Sequence, residues 1–300
     1  MSGKSFLAWN CFWVVLLAVA LLGSGCGKSK KPIVVASKDS TLQVVLGEII
    51  AQHLEHRLGR KVVRNLSMGN TATVYQALMN GEIGIYAEET GTIQATILKE
   101  SHSVDAATTL ERVRNEMRRI ALTEVLDPLG IDNAWNIIIK KDDAAKNNIE
   151  TLTDATNAKT GWKLGVTRDF NERTDGLAAL NQYRLPMGAM TKVSDPNSLY
   201  ESFDEGKLNM VAGNRTDGWL AGHDDWKALL DDKKVFGFYQ TCIMARLDLL
   251  ASDPKIHPAL AELSGKISNA DMQRLNAEVG INHKKPADVA AEFLTQAGLK

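Results

Sequence analysis

The stretch that decides the fold is IVVASKDSTLQVVLGEIIAQHLEHRLGRKVVRNLSMGNTATVYQALMNGEIGIYA, from Ile33 to Ala87. Short apolar runs alternate in it with longer segments whose apolar residues recur every three or four positions. The pattern predicts strands over Ile33–Ser37, Lys61–Leu66 and Ile83–Ala87, with helices over Thr41–Gly59 and Thr71–Gly81. Strand, helix and strand at this spacing predict right-handed crossovers and a parallel α/β sheet.

The rest of the chain continues the alternation and then becomes helical. A helical pattern covers Val104–Val125 and another lies near Asp175–Tyr183. Apolar runs predict three further strands, at Asn136–Lys140, Trp162–Val166 and Leu208–Ala212. The last fifty residues show helix starts near Asp253, Ser268 and Pro286. The predicted fold class is therefore α/β, with two α/β lobes and a helical tail.

Two segments repeat the same local pattern of helix, glycine, charged residue, strand and polar turn. They are QALMNGEIGIYAEETG (Gln76–Gly91) and ESFDEGKLNMVAGNRTDG (Glu201–Gly218). When they are aligned on their glycines, Gly81 and Gly206, Glu89 falls opposite Asn214. In open α/β sheets, ligands bind beyond the carboxyl ends of the strands. The two polar turns are therefore predicted to line one ligand site, one turn from each lobe.

The amino terminus has the pattern of an export signal. A positively charged start is followed by the apolar run FLAWNCFWVVLLAVALL (Phe6–Leu22) and by the small residues GSGC, which end at Cys26. We predict a lipoprotein signal peptide over residues 1–26, lipidation of Cys26 and a tether over residues 27–32. A simple cleaved signal or an uncleaved anchor helix stays as the alternative.

Composition excludes several classes of function. The charges nearly balance, 35 basic against 36 acidic residues, so no basic surface for nucleic acid is predicted. The segment GSGCGKS (Gly23–Ser29) resembles part of a phosphate-binding loop but lacks the strand-loop-helix context that such a loop needs. Beyond Cys11 and Cys26, which lie in the signal, Cys242 is the third and last cysteine, so no internal disulfide is predicted.

The sequence gives little support for a catalytic site or a metal site. Glu88 and Glu89 are neighbours on a strand end, so their side chains point to opposite faces and cannot easily flank one bond. His53 and His56 share a helix, but the sequence places no third ligand beside them for zinc. We predict no catalytic residue, no metal and no cofactor. An enzyme acting on a small molecule in the same cleft remains the alternative.

Several segments together resemble one family, the osmoprotectant (glycine betaine/choline/carnitine) binding proteins of ATP-binding-cassette importers. The resemblance covers the chain from about Ile33 to Leu299. The segments that carry it are SKDSTLQVVLGEII (37–50), MGNTATVYQALMNGEIGIYAEETGT (68–92), GLAAL (176–180), SDPNSLYESFDEGKLNMV (194–211), TDG (216–218) and LAELSGKISNADMQRLNAEVGINHKKPADVAAEFLTQAGL (260–299).

The resemblance implies a type II periplasmic-binding-protein fold, in which two α/β lobes joined by two crossovers close around a ligand. Lobe 1 is then residues 33–133 plus 239–300, and lobe 2 is residues 134–238. The expected partners are a small-molecule ligand, a membrane permease with its ATPase, and the membrane itself through the lipid on Cys26. The protein is expected to be a monomer in the cell envelope, facing the periplasm or the cell exterior. A sensing or scaffold lipoprotein with the same fold is a second alternative.

The ligand cage departs from that of the family. Family members usually hold a quaternary ammonium among tyrosines by cation–π attraction. The usual motif Tyr-Pro-Glu-Tyr-Thr-Gly-Thr is here YAEETGT (Tyr86–Thr92), so Glu89 replaces the second tyrosine. Asn214 and Arg168 stand where further tyrosines are usual, and Trp135 and Tyr239 stay where aromatic residues are expected.

These replacements predict a ligand with a primary ammonium or guanidinium at Glu89 and a carboxylate at Arg168. An amino acid or related zwitterion is favoured over a methylated amine, although a betaine-like ligand stays open. In another interpretation, Glu89 and Arg168 pair with one another across the cleft or face solvent. The remaining predicted site residues supply hydrogen bonds, charge or an aromatic wall: Asp39, Gln43, Thr90, Thr92, Asn133, Trp135, Asn214, Asp217 and Tyr239.

Overall fold

The structure, a computed structural model, describes residues 31–100, 105–158 and 161–300. The predicted signal peptide, Cys26 and the tether as far as residue 30 lie outside the described residues. Within these residues, ten strands form two five-stranded sheets: β1 (Val34–Ala36), β2 (Val63–Asn65), β3 (Ile85–Glu89), β4 (Thr123–Val125), β5 (Trp135–Lys140), β6 (Trp162–Thr167), β7 (Met187–Val193), β8 (Met210–Asn214), β9 (Trp226–Ala228) and β10 (Thr241–Arg246).

Helices separate most of the strands and make up the C-terminal region. The α-helices are α1 (Thr41–Leu58), α2 (Thr71–Asn80), α3 (Thr90–Thr92), α4 (Ala106–Ala121), α5 (Lys141–Asn147), α6 (Leu152–Asn157), α7 (Arg168–Glu172), α8 (Leu177–Leu180), α9 (Pro196–Asp204), α10 (Leu247–Ser252), α11 (Ile256–Ala261), α12 (Asn269–Gly280) and α13 (Pro286–Gln296). A π-helical turn (Ile93–Ile97) follows α3, and 3₁₀ turns cover Asn181–Tyr183 and Gly218–Gly222.

The two sheets repeat one topology. The first sheet has the order β2-β1-β3-β10-β4 and the second has the order β7-β6-β8-β5-β9. In each sheet three neighbouring strands are parallel, and the last two pairings are antiparallel. We call the part of the molecule built on the first sheet the first lobe and the part built on the second sheet the second lobe. The predicted α/β class with two lobes is confirmed.

The predicted parallel arrangement is confirmed for β1, β2 and β3, but each sheet also contains antiparallel strands. β10 runs antiparallel to both β3 and β4 because the chain enters it from the second lobe, at the edge of the sheet where β3 ends. β5 enters the second sheet from the first lobe in the same way and runs antiparallel to β8 and β9. A strand that arrives across the cleft has no crossover helix to reverse its direction, so it cannot be parallel to its neighbour.

Local sequence explains where the early helices end. Gly59 and Gly81 adopt left-handed backbone (φ 62° and 75°) directly after α1 and α2, where glycine carries no steric penalty. Asn70 caps α2 by accepting a hydrogen bond from the Thr73 amide. The predicted helical stretch to Val125 is too long, because Leu122 turns left-handed (φ 47°) and the chain continues as β4.

Apolar side chains cover both faces of each sheet. In the first lobe, α1 and the C-terminal helices bury one cluster against the sheet, and α2 and α4 bury a second cluster on the other face. The second lobe likewise has two clusters. The predicted C-terminal helices are confirmed, and Ser268 begins α12 with a capping box formed with Asp271. Within the described residues, no helix has the length and apolar character needed to cross a membrane.

The chain passes between the lobes twice, and the two passages are hydrogen-bonded to one another. The Asn133 amide donates to the Tyr239 carbonyl at 2.9 Å, and the Thr241 amide donates to the Ile131 carbonyl at 3.0 Å. Asp132 and Gln240 form an antiparallel bridge between them. We call this pair of segments, residues 131–133 and 239–241, the crossover ribbon. These hydrogen bonds hold the two connecting segments against each other at the cleft.

Candidate functional site

A cavity of about 330 Å³ lies between the lobes, beyond the carboxyl ends of β1, β3 and β8. The first lobe contributes Lys38, Asp39, Ser40, Asn70, Thr71, Glu89 and Thr92. The second lobe contributes Trp135, Asp169, Arg173 and Asn214, and the crossover ribbon contributes Asn133 and Tyr239. Glu89 ends β3 and Asn214 ends β8, so the two polar turns that repeat in the sequence do meet in one cavity.

On the first-lobe wall, one ammonium joins two acids. Lys38 Nζ lies 2.5 Å from Glu88 Oε1 and 2.7 Å from Glu89 Oε2. Glu89 Oε1 also accepts a hydrogen bond from Gln43 Nε2 at 2.8 Å. β3 is buried along its whole length, so both carboxylates are withdrawn from solvent. We call Lys38, Gln43, Glu88 and Glu89 the lysine cluster. In it, both oxygens of Glu89 already accept hydrogen bonds from the protein.

The lysine cluster separates the pKa values of its two acids. Burial raises the pKa of Glu88 to about 8, and the nearby negative charge of Glu89 adds to the effect, while Lys38 opposes it. Burial also acts to raise the pKa of Glu89, but Lys38 and the hydrogen bonds to its carboxylate outweigh burial and lower it to about 2. For Lys38, the two carboxylates outweigh burial and raise its pKa. The cluster therefore holds a proton near neutral pH, on Glu88.

On the second-lobe wall, a guanidinium lies between an acid and two aromatic rings. Arg173 donates from Nε and Nη2 to the two oxygens of Asp175, at 2.8 and 2.5 Å. Its Cζ lies 5.7 Å from the Trp135 ring centroid and 5.8 Å from that of Tyr239. The Tyr239 hydroxyl donates to Asp175 as well. A bidentate pair stacked on aromatic faces is a geometry that arginine forms and lysine cannot.

Gly91 leaves the space that the Tyr239 ring occupies in this wall. Gly91 follows Glu89 and Thr90 in the polar turn, and a Cβ at this position would lie 2.7 Å from both the Phe238 carbonyl oxygen and Tyr239 Cε1. Real Cβ atoms do not approach other atoms so closely. The turn after β3 therefore requires glycine for the crossover ribbon to pack against it.

Ten of the eleven predicted site residues fall into three groups. Six of them line the cavity together with Asn214: Asp39, Glu89, Thr92, Asn133, Trp135 and Tyr239. Gln43 and Thr90 are buried behind the lining, where Gln43 donates to Glu89 and the Thr90 hydroxyl donates to the Phe238 carbonyl. Asp217 lies in an adjoining cavity, where it accepts hydrogen bonds from the Tyr200 hydroxyl and the Asn214 amide.

Arg168 does not reach the cavity. It begins α7, its side chain is 78% exposed, and it pairs with Glu172 one helical turn later. The arginine in the cavity is Arg173, which follows α7 in the sequence. Of the alternative interpretations, the pairing of Glu89 with Arg168 is not formed, since Glu89 pairs with Lys38 and Arg168 pairs with Glu172, whereas Arg168 does face solvent.

Sequence reasoning missed Lys38, Asp169 and Arg173. Lys38 stands in the polar turn SKDST after β1, so its position at a strand end was a usable signal. Arg173 and Asp175 lie two residues apart in NERTDG, and this spacing alone gives no indication that their side chains form a bidentate pair. No group of three His, Cys, Asp or Glu residues within the described parts of the chain could hold a metal ion.

An adjoining cavity of about 200 Å³ shares Ser40, Asn133 and Asn214 with the first one. Its other walls come from the start of α1, the end of α12, the start of α9 and the segment Thr216–Trp219. We call the 330 Å³ space the charged compartment and the 200 Å³ space the neutral compartment. The neutral compartment has no lysine or arginine among the described residues that line it.

Residues 31–296 match the family of substrate binding domains of ABC-type glycine betaine transport systems. The chain belongs to this family. A solved glycine betaine/carnitine/choline ABC transporter protein has a TM-score of 0.80 at 26% identity, with 89% of this chain and 99% of that chain covered. The predicted type II periplasmic-binding-protein fold is thereby confirmed.

Two relatives match this binding protein along nearly its whole length. An ergothioneine transport permease/ergothioneine binding protein of Helicobacter pylori is 34% identical over 293 residues, 96% of this chain. The chain spans about half of that relative, 52% of its length. A carnitine transport binding protein of Listeria monocytogenes is 29% identical over 300 residues and is covered over 96% of its length. The relatives are transport binding proteins, and such proteins act outside the cytoplasm.

Proposed function

We propose that this protein is the solute-binding component of an ABC importer and that it captures a betaine-type zwitterion, a small molecule with a quaternary ammonium and a carboxylate. The observation that carries the proposal is the charged compartment, which combines two aromatic walls, Trp135 and Tyr239, with the guanidinium of Arg173. Aromatic faces attract cations, and a guanidinium binds carboxylates.

The charges of the charged compartment suit such a ligand. Its lining carries three acidic and two basic side chains: Asp39, Glu89, Asp169, Lys38 and Arg173. The pair with Asp175 uses two of the five N–H donors of Arg173, and Nη1 also lies 4.0 Å from Asp169 Oδ2. The donors that remain can bind a ligand carboxylate. The excess of acid favours a cationic group on the rest of the ligand.

The position of Glu89 weakens the case for a primary amine. Its oxygens already accept hydrogen bonds from Lys38 and Gln43, so no carboxylate stands ready for a ligand N–H at this point. The relatives point the same way, since their names specify ergothioneine, carnitine and glycine betaine. Each of these compounds is a trimethylammonium carboxylate. We therefore favour the betaine-type ligand over the amino acid.

Calorimetric titration of the full chain with glycine betaine, carnitine and ergothioneine, and with common amino acids, tests the proposal. We expect binding of at least one betaine and a raised melting temperature on addition of that compound, because it binds the native state alone. Binding of amino acids without binding of any betaine would contradict it.

Two arginine variants test the site. Arg173→Gln removes the guanidinium from the cavity, and we expect affinity to fall by about 30-fold or more, since removing one partner of a buried charge pair costs at least about 2 kcal/mol. Arg168→Gln changes the same residue type five positions earlier, outside the cavity, and should leave affinity unchanged. Equal effects of the two substitutions would remove Arg173 from the site.

Further properties belong to the same proposal. The protein delivers its ligand to a membrane permease and its ATPase, works as a monomer without catalysing a reaction, and is held at the membrane by a lipid on Cys26. The lobes divide as residues 33–133 plus 239–300 and residues 134–238; the membership of the strands in the two sheets supports this division. Recovery of unchanged ligand after long incubation supports a binding role. Loss of membrane association in Cys26→Ser supports the anchor.

A further inference from the structure

One acidic side chain of the charged compartment has no close partner. The described residues that line the compartment include three acids, and both oxygens of one of them, Glu89, already accept hydrogen bonds. Within the described parts of the chain, no residue donates a hydrogen bond to the Asp169 carboxylate, and the one cation within 4.0 Å of it is Arg173 Nη1. A separation of 4.0 Å is too long for a hydrogen bond. The Asp169 carboxylate is therefore available to a ligand.

Asp169 lies within reach of charges from both lobes. It belongs to α7 in the second lobe, and its side chain is 67% exposed. The protein around the cleft nevertheless withdraws part of its hydration, and this burial raises the pKa of Asp169. In the second lobe, Arg173 opposes the rise and Asp175 adds to it; in the first lobe, Lys38 opposes it and Glu89 adds to it. The carboxylate is thus open to the cleft, with the first-lobe wall near it.

The contact between Asp169 and Arg173 is not what holds the guanidinium in place. The two residues are four positions apart, and an exposed pair of this kind adds little to stability. Asp175 holds the guanidinium instead, through hydrogen bonds of 2.8 and 2.5 Å. Asp169 and Arg173 therefore present two opposite charges side by side on the cavity wall, and neither charge is neutralised fully by the other.

A betaine carries the same two charges in the opposite order. In glycine betaine, one carbon joins the ammonium to the carboxylate, so the nitrogen and the nearest oxygen are about 3 Å apart. When the carboxylate binds Nη1 of Arg173, the ammonium lies next to Asp169, and each ligand charge meets an opposite charge. A quaternary ammonium has no N–H to donate, so a nearby negative charge stabilises it without any requirement for hydrogen-bond direction.

We propose that Asp169 is a specificity-determining residue, which together with Arg173 selects zwitterions whose two charges are separated by a short spacer. This inference rests on the proposed function, because it states how the same site distinguishes one betaine from another. A short spacer places both ligand charges on the pair at once. Each further methylene group lets the charges lie up to about 1.5 Å further apart, one bond length, so a long spacer carries the ammonium past Asp169.

Calorimetric affinities of the full chain for two ligands test the proposal. The ligands are glycine betaine and γ-butyrobetaine, whose spacer has three carbons. Asp169→Asn removes the charge and keeps the shape of the side chain, and we expect it to weaken glycine betaine binding by about tenfold and γ-butyrobetaine binding by less than about threefold. Asp169→Glu keeps the charge and should bind glycine betaine within about threefold of the wild type. The melting temperature of each variant shows that it is folded.

Two other acids provide the controls. Glu172→Gln removes an exposed charge from the end of the same helix, outside both compartments, and should leave both affinities unchanged. Asp39→Asn removes a charge from the first-lobe wall of the charged compartment. Because Asp39 is on the opposite wall from Arg173, we expect smaller losses than in Asp169→Asn, of equal size for the two ligands.

Three results would overturn the inference and leave the proposed function intact. Unchanged glycine betaine affinity in Asp169→Asn would show that the ligand cation lies elsewhere. Equal losses for both ligands in this variant would show a general effect of charge without selection by spacing. Binding of γ-butyrobetaine without glycine betaine would show that the longer spacer fits the site better.

Two further results are also decisive. If the wild type binds glycine betaine alone, a loss in Asp169→Asn no larger than that in Asp39→Asn would overturn the inference, and a larger loss would support it. Absence of binding to every betaine would remove the proposed function, and this inference with it.

Discussion

On the first-lobe wall of the cleft a single ammonium lies between two buried carboxylates, whereas on the second-lobe wall a guanidinium forms a bidentate pair with one carboxylate. The Lys38 side chain is 14% exposed, and its two partners are 0% and 6% exposed. Arg173 is 20% exposed and lies over two rings. The first wall therefore has an excess of acidic groups and little contact with solvent. The second wall has N–H donors of Arg173 outside its pair with Asp175, and the guanidinium lies over both rings.

Because of this difference, we expect the two walls to have different roles. In the lysine cluster, the charges satisfy one another, and the proton on Glu88 removes the excess of negative charge. In the second wall, part of the guanidinium stays outside the pair with Asp175. We infer that the lysine cluster holds the first lobe together at the cleft and that Arg173 recognises the ligand. Three substitutions test this difference.

The largest effect is expected from Lys38→Met. It leaves the buried Glu89 carboxylate without a counter-charge, and breaking a buried pair in this way typically destabilises a protein by about 3–5 kcal/mol. Urea unfolding at neutral pH measures the loss, and adding Glu89→Gln to the variant should recover part of it. Lys207→Met, which removes an exposed partner of Glu205, should cause no measurable change. An equally small effect of Lys38→Met would mean that the cluster is solvated.

A smaller effect is expected from Glu88→Gln, and its size depends on pH. The folded protein holds a proton on Glu88 up to about pH 8, while the unfolded chain releases it near 4.5. Between these values the folded state binds more protons, so this group makes wild-type stability fall as pH rises. Glu89 has the opposite shift, and its contribution is constant above about pH 4.5.

Unfolding of the wild type and of Glu88→Gln at pH 5 and pH 8 measures this contribution. We expect the free energy of unfolding of the variant, measured relative to that of the wild type, to increase by at least about 1.4 kcal/mol from pH 5 to pH 8. This amount is the equivalent of one pKa unit. Because the comparison is a difference between two proteins, the contributions of the other titrating groups to the pH dependence of stability cancel. A constant difference across the interval would place the proton elsewhere.

The smallest effect is expected from Tyr239→Phe, which removes a hydroxyl from the second wall and keeps the ring. Asp175 retains both bonds from Arg173, so we expect a loss of stability of about 1 kcal/mol and a change in betaine affinity of less than about fivefold. Tyr183→Phe is a matched control, because the Tyr183 hydroxyl also donates to an acid, Asp231, away from the cleft. Loss of binding in Tyr239→Phe alone would mean that the hydroxyl contacts the ligand.

The fold was predictable where the pattern of apolar residues is regular. Residues 33–87 alternate strongly, and α1 begins at Thr41 and α2 at Thr71, as expected. β7 was missed because it is an edge strand with mostly exposed side chains, so its sequence does not show the regular alternation of apolar residues that predicts a strand. β4 was missed because its three residues follow a helix of similar composition, and the left-handed Leu122 that divides them carries no signal in its side chain.

The site was predictable where its residues follow strands. Glu89 and Asn214 end β3 and β8, and Trp135 begins β5, which runs antiparallel to β8. A strand end or start fixes which edge of the sheet a residue occupies. Arg168 instead begins the short helix α7, and Arg173 follows its last residue. The direction of a side chain there depends on the angle at which the helix leaves the strand, and that angle is set by packing rather than by local sequence.

The crossover ribbon has a consequence for how the protein responds to its ligand. Tyr239 is part of the ribbon through its backbone and part of the cavity wall through its ring. The Asp132 carboxylate accepts a hydrogen bond from the Tyr239 amide and pairs with Arg215 of the second lobe, so the ribbon is also joined to the segment after β8. A ligand that contacts the Tyr239 ring therefore also contacts the segment that joins the lobes, so ligand capture and the connection between the lobes share one residue.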